Sequence, residues 1–146
     1  MEDDGRLDWR AQQQAAVRAH AAAAEARLAA ERAEAAQLVT AFTAEATRRG
    51  LRPVRLTATG YDGRGRYRTP LTGWYLDRAR TRAVGTDGRF YLLTVPAGLR
   101  ARLFGAEPSP SPAPLVIGEG GRDGDSIPLR ALLDRRLAAG DTDSPV

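Results

Sequence analysis

The chain has no cysteine, no lysine and no asparagine, and only one histidine and one methionine in 146 residues. Without cysteine there are no disulfides, no thiolate metal ligands and no thiol nucleophile. The lone histidine, His20, stands among alanines with no carboxylate three or four residues away, so neither a metal ligand nor a general base is expected there. Ser109 and Ser111 fall in a proline-rich run and Ser126 at an expected helix cap, so no serine occupies a nucleophile elbow. No G-x-x-x-x-G-K run offers a phosphate loop. These gaps predict a non-catalytic protein with no cofactor and no metal, and leave an enzyme of unknown type as the third reading.

Aromatic residues make up 6% of the chain, which predicts a modest core rather than a large one. No stretch approaches the roughly 20 apolar residues of a membrane span. The opening "MEDDGRLDWR" is acidic and lacks the apolar stretch of a secretory leader, so a cytoplasmic protein is expected.

Lysine and asparagine have AT-rich codons, and isoleucine, also AT-coded, occurs only at Ile117 and Ile127. This bias points to a GC-rich bacterial genome in which arginine replaces lysine on ordinary surfaces. All 22 basic residues are arginine, so their number carries less weight than their placement. Residues 1–47 have net charge −3, residues 48–102 net +10 and residues 103–146 net −3. Codon bias does not segregate charge in this way.

The pattern predicts an α+β protein. Residues 1–7 read as an acidic tail and residues 8–49 as one long helix, with 17 alanines and no Gly or Pro. Arg48, Arg49, Gly50 and Pro53 mark its end. Ala35, Leu38, Val39, Phe42 and Ala46 form an apolar stripe at helical spacing. Upstream, Val17, Ala21, Ala24, Leu28, Leu38 and Phe42 follow coiled-coil spacing interrupted by Glu31, a candidate seam for a protein partner or a second copy of the chain. The plainer alternative is a solvent-washed helix held by propensity alone.

Residues 53–137 read as a small basic β-rich domain with a C-terminal helix, followed by a flexible tail at 138–146. A small antiparallel sheet of about four to five strands is expected, with the Leu38/Phe42 stripe covering one face. "VRLTATG" alternates as a half-buried strand, and Pro70 suggests a bulge or an edge in the next one. Asp87-Gly88 predicts a two-residue hairpin turn, and "DGR" recurs at Asp62, so the same turn chemistry is expected twice. "PAGLRARLFG" reads as a turn or short helix, "AEPSPSPAP" as an extended loop and "PLVIG" as a strand. The last helix is expected to be capped by Ser126 and to bury Leu129, Leu132, Leu133 and Leu137. "GGRDGDSIP", from Gly120, resembles the calcium-binding nonapeptide repeat, but Asp123 replaces its second glycine position and the run occurs once. Such repeats bind calcium between stacked turns, so no calcium site is expected.

The candidate basic face comprises Arg55, Arg64, Arg66, Arg68, Arg78, Arg80, Arg82 and Arg89. In extended chain Arg64, Arg66 and Arg68 would share one side opposite Tyr67, and Arg78, Arg80 and Arg82 would share another. Such a comb could neutralise the phosphates of DNA or RNA, with Tyr61 or Trp74 stacking on bases. It could equally solvate an exposed sheet or meet an acidic protein. Trp74, Tyr75, Phe90 and Tyr91 fit a core better than a stacking platform. The primary reading is an interaction or scaffolding protein that self-associates or docks through the long helix and presents a basic sheet face. The alternative is a nucleic-acid-binding protein.

Overall fold

The structure is a computed structural model that describes residues 2–118 and 125–141. Its first element, α1 (Glu2–Arg48), runs 47 residues, about 70 Å at 1.5 Å per residue. The helix starts six residues ahead of Asp8 and so absorbs the expected acidic tail. Asp3 and Asp4 lie in its first turn, where the helix dipole favours negative charge. Its end follows the sequence signal closely. Gly50 takes φ 73°, Leu51 N donates to Ala46 O at 2.9 Å and Gly50 N donates to Thr47 O at 3.1 Å. Leu51 and Ala46 are both buried, the apolar contact that accompanies this left-handed cap.

Five strands follow: β1 (Val54–Gly60), β2 (Arg66–Tyr75), β3 (Arg82–Gly85), β4 (Phe90–Leu92) and β5 (Thr94–Val95). They form one sheet in the order β4-β3-β2-β1-β5, antiparallel except for the β1–β5 pair, which is parallel. Strands β4 and β5 are separated only by Leu93, yet they pair with opposite ends of the row. Leu93 N donates to Thr81 O at 2.8 Å and Leu93 O accepts from Thr59 N at 2.7 Å. The segment 90–95 therefore closes the sheet into a small ring.

Closure accounts for two cores. Trp74, Val84 and Phe90 are cross-strand neighbours on one face. Val39, Phe42 and Ala46 of α1 cover that face together with α3 (Leu129–Ala139). The Phe42 and Trp74 rings meet edge-on, with centroids 5.8 Å apart and planes at 83°. Tyr75, Ala83 and Tyr91 line the other face with Leu56 and Leu93. They are buried because the sheet curls around them. The short helix α2 (Leu99–Phe104) beside β2 buries no residue of its own. A two-stranded pair, β6 (Val116–Ile117) with β7 (Ile127–Pro128), ties the C-terminal segment to the body.

Pro70 does mark a bulge. Between Arg55↔Thr72 and Thr57↔Arg68 the first strand advances two residues and the second four. Thr69, buried at this break, donates its hydroxyl to Leu56 O at 2.6 Å and accepts from Leu71 N at 3.2 Å, replacing the missing ladder bonds.

The two DGR turns match. Arg64 N donates to Asp62 Oδ1 and Arg89 N to Asp87 Oδ1, both at 3.0 Å. Gly63 and Gly88 take φ 75° and 78°. The second turn is not the expected two-residue loop. Gly88 N bonds Gly85 O and Gly85 N bonds Arg89 O, so Thr86, Asp87 and Gly88 make a three-residue loop ending in left-handed glycine. Asp87 holds it from both carboxylate oxygens, because its Oδ2 also accepts from the Tyr91 hydroxyl.

The cap expected at Ser126 is absent: α3 starts at Leu129, with Pro128 at its N-cap and no side-chain cap bond. The reason lies in β7, which takes Ile127–Pro128 into the pair with β6 and lets Leu129 N donate to Leu115 O at 2.7 Å. Gly120, Gly121 and Asp123, and tail residues 142–146, lie outside the described residues. Among the described residues no helix is long and apolar enough to cross a membrane.

Candidate functional site

The fold divides the arginine comb. Strand β2 begins at Arg66, since the Asp62–Gly63 turn takes Arg64 out of the strand. Arg78 and Arg80 sit in the β2–β3 turn, not on a strand with Arg82. Arg82 donates to Asp77 Oδ2 at 3.1 Å in an ion pair. Arg64 faces a separate recess with Tyr67 and Arg102, and Arg68, Arg78 and Arg89 are exposed elsewhere.

Arg55, Arg66 and Arg80 do converge. With Arg52 and Arg136 they line an open cleft of about 730 Å³ that contains a single carboxylate, Asp141. The five come from five segments: the link after α1, β1, β2, the β2–β3 turn and α3. Among the described residues none of the five forms an ion pair.

Three of these guanidinium groups are held in place. Arg55 Nη1 donates to Thr69 O at 3.2 Å, the carbonyl of the β2 bulge. Arg80 lies 5.2 Å from the Tyr75 ring centroid, a cation–π contact, and takes φ 58°. It is the one non-glycine residue with positive φ among those described, a conformation that persists only where neighbours enforce it. Asp77 supplies that enforcement: it accepts from Thr81 N at 2.8 Å and Thr81 Oγ1 at 2.6 Å, and Arg80 N bonds Asp77 O at 3.1 Å.

No known protein family matches this chain, and no curated protein or solved structure matches it.

Arg136 is the residue that sequence reasoning missed with most consequence. It is buried, donating Nε to Tyr75 O at 2.8 Å and Nη1 to Gly140 O at 2.7 Å. Burial pushes its pKa down, and nearby Asp141 opposes that shift. The signal was present in α3: Leu129, Leu132, Leu133 and Arg136 share the buried stripe, so an arginine stands where the period calls for an apolar side chain. Leu137, expected there, is half-buried. Arg52, next to Pro53, had no comparable signal.

The aromatics do not form a stacking platform. Trp74, Tyr75, Phe90 and Tyr91 are all buried, whereas Tyr61 is 72% exposed beside the first DGR turn.

The candidate helix seam also divides. Phe42 is 2% exposed beneath Trp74, and Leu38 is half-buried against the same core. Neither offers a fully free surface. Val17, Ala21, Ala24 and Leu28 are all exposed, with Val17 at 66% and Leu28 at 46%. From residue 3 to residue 34 no side chain of α1 is buried. This arm projects roughly 50 Å from the body. Where it joins the body, Leu38, Ala41, Phe42, Leu133 and Leu137 line a groove of about 310 Å³ between α1 and α3.

Proposed function

We propose that this is a non-catalytic interaction protein that pairs with a second copy through the arm of α1 and carries its basic body as the presented surface. The observation behind this reading is the arm itself: 32 consecutive helical residues, 3–34, with none buried. An isolated helix gains little from propensity alone, and most helical stability in proteins comes from packing one face.

The side chains favour antiparallel pairing. In a parallel pair the coiled-coil spacing would set Arg10 against Arg10 and Glu31 against Glu31 inside the seam, and the acidic starts of both helices side by side. Like charges so placed repel. Run antiparallel, one register sets Leu7 against Leu38, Val17 against Leu28, and Ala21 against Ala24. The same register flanks the seam with Arg18 beside Glu25, twice by symmetry. It also lays the start of each helix along the α1–α3 groove of the other copy. Small alanines at the centre let the backbones approach closely. In this register no like charges oppose each other within the seam.

Sedimentation of the full chain should give a dimer mass that falls on dilution, and a chain lacking residues 2–28 should remain monomeric. A full chain that stays monomeric at high concentration would sink the reading.

The second reading, nucleic-acid binding, draws support from the convergence of Arg55, Arg66 and Arg80. Of the two aromatics expected to stack on bases, Tyr61 is exposed and Trp74 is buried, and Arg80 lies over the Tyr75 ring.

A further inference from the structure

We propose that the cleft between the C-terminal end of α1, the β1–β2 bulge and α3 is a binding site for a ligand bearing adjacent phosphate groups. Five arginines and one carboxylate line the cleft, so the site carries an excess of positive charge that water and counter-ions must otherwise balance. Guanidinium forks match phosphate oxygens two at a time, and a single phosphate would leave several of the five unmatched. A diphosphate or a longer run brings the charge needed to engage Arg52, Arg55, Arg66 and Arg80 together. The volume of about 730 Å³ falls within the range of small-ligand sites, with room for more than the phosphates themselves.

Placement argues for a built site rather than scattered surface charge. Arg55 is pinned by Thr69 O, Arg80 by the Tyr75 ring and the Asp77-held turn, and Arg136 by Tyr75 O and Gly140 O. Arginines already held lose less rotamer freedom on binding, so preorganisation favours affinity. Asp141 is itself engaged, accepting from Arg52 N at 2.8 Å, which fixes the rim of the cleft to the end of α1. The backbone at Arg80 is held in a costly conformation that directs its side chain over Tyr75. Neither the arm nor its pairing is needed for this site, so the proposal stands independently of the one above.

The test uses inorganic pyrophosphate as the probe, followed by calorimetry on the full chain. Saturable binding is expected, weakened about tenfold by Arg66→Gln and again by Arg80→Gln, as loss of a charge-assisted hydrogen bond predicts. Arg64→Gln and Arg89→Gln remove the same charge outside the cleft and should leave the affinity within about twofold. A single-stranded oligonucleotide added as competitor separates the two sources of adjacent phosphates. Displacement of pyrophosphate at equal phosphate concentration supports the site with a nucleic-acid strand as its ligand; failure to displace supports it with a free polyphosphate ester. Absence of saturable pyrophosphate binding, or equal weakening by Arg64→Gln and Arg89→Gln, overturns the proposal.

Discussion

The indole N–H of Trp74 donates to the carbonyl of Leu51 at 3.2 Å, joining the centre of the sheet to the cap of the long helix. Leu51 is the residue whose amide closes the α1 terminus on Ala46 O. One side chain thus fixes where the helix stops and how it sits on the sheet. Trp74→Phe keeps the ring contact with Phe42 but loses the bond and leaves a void. A loss of about 2 kcal/mol is expected, read as a lower midpoint in chemical denaturation.

Gly73 of β2 pairs with Gly85 of β3. A Cβ built there would meet Val84 O at 2.1 Å and Gly85 Cα at 2.7 Å, both backbone atoms that cannot swing aside. Gly73→Ala should therefore cost about 2–3 kcal/mol, more than an ordinary glycine change in a strand. Thermal melting of the variant checks this, with Gly98→Ala as the control, since nothing lies within 4 Å of a Cβ there.

The absence of cysteine makes arm orientation easy to read. Ala21→Cys mixed with Ala24→Cys should oxidise to a crosslinked pair faster than either variant alone. Rapid self-crosslinking of Ala21→Cys would indicate parallel arms and overturn the antiparallel register, while leaving association itself intact.

Two groups predict opposite pH limbs. Hydrogen bonds from Arg48 and then Arg49 hold the Glu45 carboxyl near 2, below its usual 4.5. Its contribution to the α1 terminus is complete above pH 4.5 and is lost as pH falls toward 2. Its bonds to Arg48 and Arg49 lie at the surface, so the effect is small. Burial, reinforced by Asp87, pushes the Tyr91 phenol up to about 12. The folded state disfavours its ionisation, so that contribution is complete below pH 10 and is lost as pH rises through 12. Stability measured against pH should show the acid limb shrink in Glu45→Gln and the alkaline limb shrink in Tyr91→Phe.

Features written in neighbouring residues were legible in the sequence. Arg48 to Pro53 marked the end of α1, Asp62 and Asp87 the paired turns, and Pro70 the bulge. The Leu38/Phe42 stripe pointed at the face it covers. The rest depends on distant segments. Nothing near Leu93 signals that its amide and carbonyl bond to different strands, because that pairing joins Thr59 and Thr81 across the fold. The cleft was legible as excess charge and not as a place: alternation groups Arg64 with Arg66, whereas the turn separates them and the fold brings in Arg52 and Arg136. Even so, Arg136 could have been found by taking the helical period of α3 literally.

The ring made by segment 90–95 has a consequence for how this protein meets others. A flat row of strands ends in unpaired amides and carbonyls that can template a foreign strand, the usual route to strand exchange and fibrous aggregation. Here both ends of the row are taken up by one continuous stretch of chain, and Phe90 O accepts from Ser111 N at 2.9 Å on its far side. That bond covers part of the β4 edge against extension by another chain. If the arm and the cleft bind as proposed, recognition falls to side chains, which can be selective in ways that backbone pairing cannot.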